Sequence, residues 1–190
     1  MTVLHGNPVL QTSRLILRLP EARDFESMHE IFGDEKSARF IGGHMNRPAS
    51  WRRFLAMPGA WAVQGFGMFT LEERSSGEVV GQCGPWHPID WQGTEIGWAI
   101  RPKFFGRGYA LEAAVASMDY AMDVLGWTEL IHTIDYENTP SVRLAERLGS
   151  RFLREAELAP KGSGTIVGVW GQTNDEWSRN REAHLDLLRT

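Results

Sequence analysis

Over Ser13–Arg18 the chain sets polar residues against Leu15, Ile16 and Leu17, the pattern of a half-buried first strand that Pro20 ends. Phe25, Met28 and Ile31/Phe32 then recur at helical spacing, with Asp24 placed as N-cap. A second helical stretch is predicted over Ser50–Ala56, closed by Pro58-Gly59. Three strand-like runs follow, Trp61–Leu71, Val79–Trp86 and Thr94–Ile100. Turn chemistry at Ser75-Ser76-Gly77 and around Ile89–Gly93 separates them, so they read as an antiparallel meander, because tight turns cannot join parallel strands.

The period then turns helical. Leu111, Ala114/Val115, Met118, Ala121/Met122 and Leu125 mark one face, and Gly126 stands where a C-cap glycine belongs. Leu130–Ile134 is a short strand reached through that helix, so it is expected to lie parallel to the strand before it. Thr139-Pro140 opens another helix with Val142, Ala145 and Leu148 on its buried face. Phe152–Leu158 and Thr165–Trp170 read as a hairpin, and Asn174 caps a last helix through Leu188. The fold class this order predicts is a mixed α/β (α+β) layer with a mostly antiparallel sheet flanked by helices. Residues 1–177 make the domain, with its core at about 11–172, and 174–190 add a C-terminal helical extension.

Composition narrows the classes of function. The 190 residues are 42% hydrophobic and carry a net charge of −4 with no sustained basic run, which speaks against nucleic acid as the partner. No apolar run approaches the roughly 20 residues a membrane helix needs, and residues 1–11 lack a signal-peptide pattern, so a cytoplasmic protein is expected. The one cysteine, Cys83, permits neither an internal disulfide nor a cysteine zinc site, and no His/Glu spacing of metal ligands occurs. Eight tryptophans include the cluster Trp86, Trp91 and Trp98. That cluster reads either as core packing or as an aromatic-walled substrate pocket.

The segment Ile100-Arg101-Pro102-Lys103-Phe104-Phe105-Gly106-Arg107-Gly108-Tyr109-Ala110 joins a strand to a helix through a glycine turn. Such a turn aims backbone N–H groups at an anion from the positive end of a helix, and glycine lets the anion come close. Arg101, Lys103 and Arg107 add mobile positive charge nearby. A P-loop would need Lys-Ser or Lys-Thr after Gly108, where Tyr109-Ala110 stand. A dinucleotide fingerprint would need glycine at Leu111.

Lys103-x-x-Gly106-x-Gly108-x-Ala110 resembles the acetyl-CoA signature of the GNAT superfamily of N-acetyltransferases, Gln/Arg-x-x-Gly-x-Gly/Ala, with Lys103 in place of Gln or Arg. More narrowly, "RPKFFGRGYALEAA", "TSRLILRLPEARDFESMHEIF" and "ENTPSVRLAERLGSRF" are similar to the RimJ/RimL-type branch, in order and spacing from Gln11 to Trp177. The resemblance implies acetyl-CoA as co-substrate. Its pantetheine would pair with the backbone near Ala99 and Ile100, where the strand splays from its neighbour. Its pyrophosphate would lie on the amides from Lys103 to Ala110, with Arg107 near the 3′-phosphate, and Asn138 would contact the cofactor arm. It also implies direct attack of an amine on the thioester, with Ser141 donating to the leaving thiolate.

The acceptor would be a primary amine: a protein N-terminus, an amino acid or a small amine. A lysine-like amine costs roughly 4–5 kcal/mol to neutralise at pH 7, an α-amine only about 1–1.5 kcal/mol. Glu95 is the first candidate for base, Asp135 the second and His132 the third. Glu95 has as its alternative a surface strand carboxylate or one paired to an arginine, and His132 simple packing. Asn138 and Ser141 also sit where helix caps are favoured. Cys83, mid-strand, reads as a buried inert thiol. A non-catalytic acyl-CoA-binding module, sensing cofactor or docking a partner through its last helix, would share the same turn and release no thiol. A homodimer is compatible with the pattern, which carries no signal on assembly.

Overall fold

The computed structural model describes residues 2–4, 7–158 and 164–189, with side chains from residue 8 onward. Among them, nine strands form one sheet in the order β1-β2-β3-β4-β5-β6-β7-β9-β8. The strands are β1 (Thr2–Leu4), β2 (Asn7–Gln11), β3 (Leu15–Arg18), β4 (Phe69–Glu73), β5 (Val79–Trp86), β6 (Glu95–Ile100), β7 (Glu129–Ile134), β8 (Arg151–Glu157) and β9 (Ile166–Thr173). Every pairing is antiparallel except β6 with β7, whose connection through a helix is long enough for the crossover that parallel neighbours need.

Helices cover both faces. On one lie α1 (Phe25–Phe32), α2 (Glu35–Ala38) and α3 (Arg47–Gln64), whose Phe25, Met28, Ile31, Phe32 and Phe54 pack together and against Val79 and Ala99. On the other, α4 (Tyr109–Asp119) lays Leu111, Ala114, Val115 and Met118 against Leu15, Leu17, Phe69, Leu71, Val80 and Ile96. The period-2 alternation of β5 and β6 is visible here: Val80 and Ile96 face α4, Val79 and Ala99 face α1. α4 continues through a π turn at Tyr120–Val124, and Gly126 follows at φ +70°. α5 (Thr139–Arg147) follows β7. α6 (Asn174–Asn180) and a 3-10 segment, Arg181–Leu188, close the chain; Trp177 is buried and donates to Asp119 at 2.9 Å.

Four expectations need correction. α3 does not stop at Pro58-Gly59, and Trp61 is helical: the helix runs to Gln64, and the next strand begins only at Phe69. Pro58 removes a helical N–H, but the stripe Ser50, Phe54, Met57 and Trp61 is buried on both sides of it. Trp61 Nε1 donates to the Met68 carbonyl at 3.0 Å, and Gly65, at φ +77°, ends the helix. Asp24 precedes α1 but does not cap it with its side chain; its carboxylate pairs with Arg18 at 2.8 Å instead. Thr173, not Asn174, caps α6, which is helical only to Asn180. β1 and β2 precede the strand read as first. No helix among the described residues is long and apolar enough to cross a membrane.

Candidate active site

The glycine turn carries β6 into α4. Gly106 and Gly108 sit at φ +73° and +80°, a region that costs an L side chain roughly 1–2 kcal/mol, and Gly108 is the N-cap of α4. The first four N–H groups of a helix have no partner within it, so they face outward from this turn. A Cβ at Gly106 would meet nothing within 4 Å, so the turn lies open there. A carboxylate and arginine pair anchors it: buried Glu112 accepts from Thr12 Oγ1 at 2.6 Å and from Arg14 Nε at 2.7 Å, and Arg14 Nη1 donates to the Arg107 carbonyl at 2.9 Å. Tyr109 is buried and its hydroxyl donates to Glu73.

The three cations of this stretch differ in their surroundings. Arg101 is not mobile charge: it is buried, bonded to Glu30 at 2.7 Å and to the Val79 carbonyl at 2.6 Å, and it fastens the turn to α1. Lys103 pairs with Glu78 at 2.5 Å on the surface. Arg107 is exposed, its guanidinium 5.2 Å from the ring of buried Phe104.

β6 and β7 touch at a single parallel register, Glu95 with Ile131, where the Ile131 amide donates to the Thr94 carbonyl at 2.8 Å. Beyond it the strands part, and His132 Nδ1 reaches the Ile96 carbonyl at 2.7 Å. Strand alternation fixes which backbone groups face the gap. Thr94 and Ile96 point to β7, so Trp98 and Ile100 do too; Arg101 donates to the Val80 carbonyl, so Ala99 points to β5. The free pairing groups of this edge therefore belong to Trp98 and Ile100. Of the two residues expected there, Ala99 has its backbone committed to the opposite neighbour.

A cleft of about 280 Å3 opens between this gap and the α2–α3 region. Trp86, Trp91, Trp98, Glu95, Asp135, Asn138 and Ser141 all line it, as do Arg53, Phe40 and Thr133. Glu95 is buried. Its carboxyl accepts from Trp91 Nε1 and from the Thr133 amide at 3.2 Å, and Thr133 Oγ1 lies 3.0 Å from both of its oxygens. Burial raises its pKa to about 7, against the lowering pull of Trp91, Thr133 and Arg53. The Thr133 hydroxyl can donate to the ionised carboxylate or accept from the protonated acid, so it serves both states.

At the other wall, Trp98 Nε1 donates to Ser141 Oγ at 3.1 Å, and Asn138 Oδ1 accepts from the Ser141 amide at 3.3 Å as N-cap of α5. Asp135 shapes the β7–α5 turn, its Oδ1 accepting from the Glu137 amide at 2.8 Å. His132 is fully engaged. Because the Ile96 carbonyl can only accept, Nδ1 carries the proton and Nε2 accepts from Ser150 at 3.1 Å. Burial holds its pKa down to about 4, leaving it neutral with no free nitrogen for a substrate. Cys83 is buried, and desolvation pushes its thiol up to about 12.

Sequence reasoning missed Arg53 and Thr133. Thr133 had no signal beyond its place two residues after Ile131. Arg53 had one: three residues after Ser50 and four before Met57, it borders the buried stripe of α3, an odd place for a cation. Its guanidinium lies 5.8 Å from the Trp86 ring, and its Nε is buried without a hydrogen-bond partner.

The chain as a whole is similar to known proteins. A family model described as an acetyltransferase (GNAT) domain matches residues 14–151. The chain is 33% identical to the uncharacterized protein YkkB of Bacillus subtilis, over 78% of this chain and 88% of that protein. It is 27% identical to the uncharacterized N-acetyltransferase p20 of Bacillus licheniformis, over 85% and 92% of the two chains. A solved acetyltransferase from Agrobacterium tumefaciens superposes with a TM-score of 0.76 at 30% identity, covering 90% of this chain and 98% of that one. A helix-capping glycine turn, a strand pair opened beside it and a family match from Arg14 to Arg151 lead to one conclusion: the chain belongs to the GNAT acetyltransferase family.

Proposed function

We propose that this acyltransferase moves the acetyl group of acetyl-CoA onto a primary amine held in the cleft, in the manner of the RimJ/RimL-like branch. The observation that carries the reading is Glu95, a buried carboxyl poised near pH 7 on the wall of a cleft that lies beside an opened strand edge. The donor supplies a thioester carbonyl. Amides of the Gly106–Ala110 turn, with Arg107 beside them, hold its phosphates, and the backbone of Trp98 and Ile100 pairs with its arm. Asn138 and Ser141, on the N-terminal turn of α5, border the same gap.

The amine nitrogen forms a bond to the acetyl carbon as the carbon–sulfur bond breaks. Glu95 takes the proton lost by nitrogen, and Thr133 reverses its hydrogen bond as the carboxyl becomes neutral. Ser141 donates to the departing sulfur. A thiol of pKa about 8.5 needs little more help at neutral pH. Asp135 takes no proton in this scheme; its Oδ1 shapes the β7–α5 turn. Isothermal titration with acetyl-CoA, with ATP and NAD as controls, tests the donor: selective micromolar binding supports the reading, and a folded protein that binds none of them overturns it. Thiol release across an amine panel separates transfer from mere acyl-CoA binding.

A further inference from the structure

Half-buried arginines elsewhere in the molecule are paired. Arg18 meets Asp24 and Glu72 at 2.8 and 2.9 Å, and Arg101 meets Glu30 at 2.7 Å. Arg53 lines the cleft with neither: its Nε is buried and unpartnered, and among the described residues its guanidinium has no ion pair. Burial lowers its pKa, and the nearby Glu95 charge only partly offsets that cost. A half-buried cation that no carboxylate hydrogen-bonds is left with donors for an incoming anion.

The anion is not the donor's pyrophosphate. Arg53 sits beside Glu95, at the start of β6, whereas the glycine turn follows Ile100 at its end, about 16 Å farther along an extended strand. Within the cleft Arg53 therefore faces the acceptor. Trp86 lies under its guanidinium, and Phe40 and Trp91 line the same space. At about 280 Å3 the cleft matches the lower end of small-molecule pockets, roughly 300 Å3.

We infer that the acceptor is a free amino acid with an aromatic or other planar side chain, its carboxylate held by Arg53 and its α-amine directed to Glu95. This rests on the transferase reading above. A carboxylate close to the amine is what an α-amino acid has and what a protein N-terminus lacks, since an amide takes its place there. The product is the N-acetyl amino acid: coenzyme A leaves as the thiolate and the one proton lost by the amine passes to Glu95.

Two probes that differ only in the carboxylate decide the matter without turnover: N-acetylphenylalanine and N-acetylphenethylamine, titrated into the full chain with coenzyme A present. The carboxylate-bearing probe is expected to bind about 10- to 100-fold tighter, the usual worth of a charged hydrogen-bond partner. Arg53→Gln should bring the two within about threefold, and Arg53→Lys should restore part of the gap. In steady-state assays the Gln variant's loss for phenylalanine should fall on KM more than on kcat. Arg53→Met should melt no lower than wild type, because no ion pair is lost.

Equal binding of the two probes overturns the inference. So does a phenylalanyl peptide, or a peptide with an acidic second residue, that is acetylated as well as the free amino acid. The donor titration keeps the two readings apart. Acetyl-CoA binding without carboxylate discrimination removes the amino-acid acceptor alone, and no acetyl-CoA binding removes the transferase reading with it.

Discussion

At the scale of single residues, Glu95 carries the most consequence, and its titration runs opposite to that of an ordinary surface carboxylate. Its folded pKa of about 7 exceeds that of an unfolded glutamate, so between roughly pH 4.3 and 7 the folded protein holds the extra proton. Stability is greatest below that window and falls as pH rises through it, by up to about 4 kcal/mol. Glu95→Gln should remove this decline, visible as a smaller change in urea midpoint between pH 5 and 8. It should also lower kcat by about 100-fold at pH 8 and abolish an acid limb with a midpoint near 7. A variant that keeps both rate and limb shows that another group takes the proton. Ser141→Ala is the milder change, with an expected loss of about tenfold in kcat, because a thiolate of pKa about 8.5 departs readily. His132 should show no imidazole titration by NMR between pH 5 and 8, its pKa being held near 4.

Among elements, the helix starts and strand runs of the middle of the chain were legible, because each obeys one period and ends on punctuation. α4 announces itself by Leu111, Val115 and Met118, and α5 by Pro140 at its first turn. α3 misled for a physical reason: Pro58 is a helix breaker in isolation, and tertiary packing of the stripe beyond it, above all Trp61 against Phe69 and Tyr120 at 4.9 and 6.3 Å, favours the continued helix. Trp61→Ala should therefore cost about 3–5 kcal/mol, read from a urea melt. Local pattern could not reveal β2 either, since Asn7-Pro8-Val9-Leu10-Gln11 offers too few positions to show a period. In the site, the glycine turn was readable because it is contiguous. The pairing of Glu95 with Thr133 was not, because it depends on two strands meeting. The charge at Arg101 was read correctly as positive and wrongly as free, since Glu30 lies on a helix some 70 positions earlier. Gly108→Val places a β-branched residue at φ +80° and should weaken acetyl-CoA binding by 10-fold or more, with the circular dichroism unchanged.

For the molecule as a whole, the site lies where distant parts of the chain converge. Arg14, in the bend just before β3, ties Glu112 of α4 and the Arg107 carbonyl together. Arg101 joins β6 to α1 through Glu30, and Asn138 and Ser141 bring α5 to the gap. The donor side and the acceptor side are thus braced by different elements: β3 and α4 for the first, α3 with β6 and β7 for the second.

The parting of β6 from β7 divides the sheet into a block of six strands and a block of three, joined through the one rung at Glu95 and Ile131. Such a junction makes two cooperative opening units of what counts as one sheet. Amide deuteration of the free protein should then separate them, with β7–β9 exchanging at a rate independent of β3–β5. The amides of Trp98 and Ile100 should exchange among the fastest of any strand positions. Acetyl-CoA, in filling the missing ladder, should merge the two units into one and protect those two amides together.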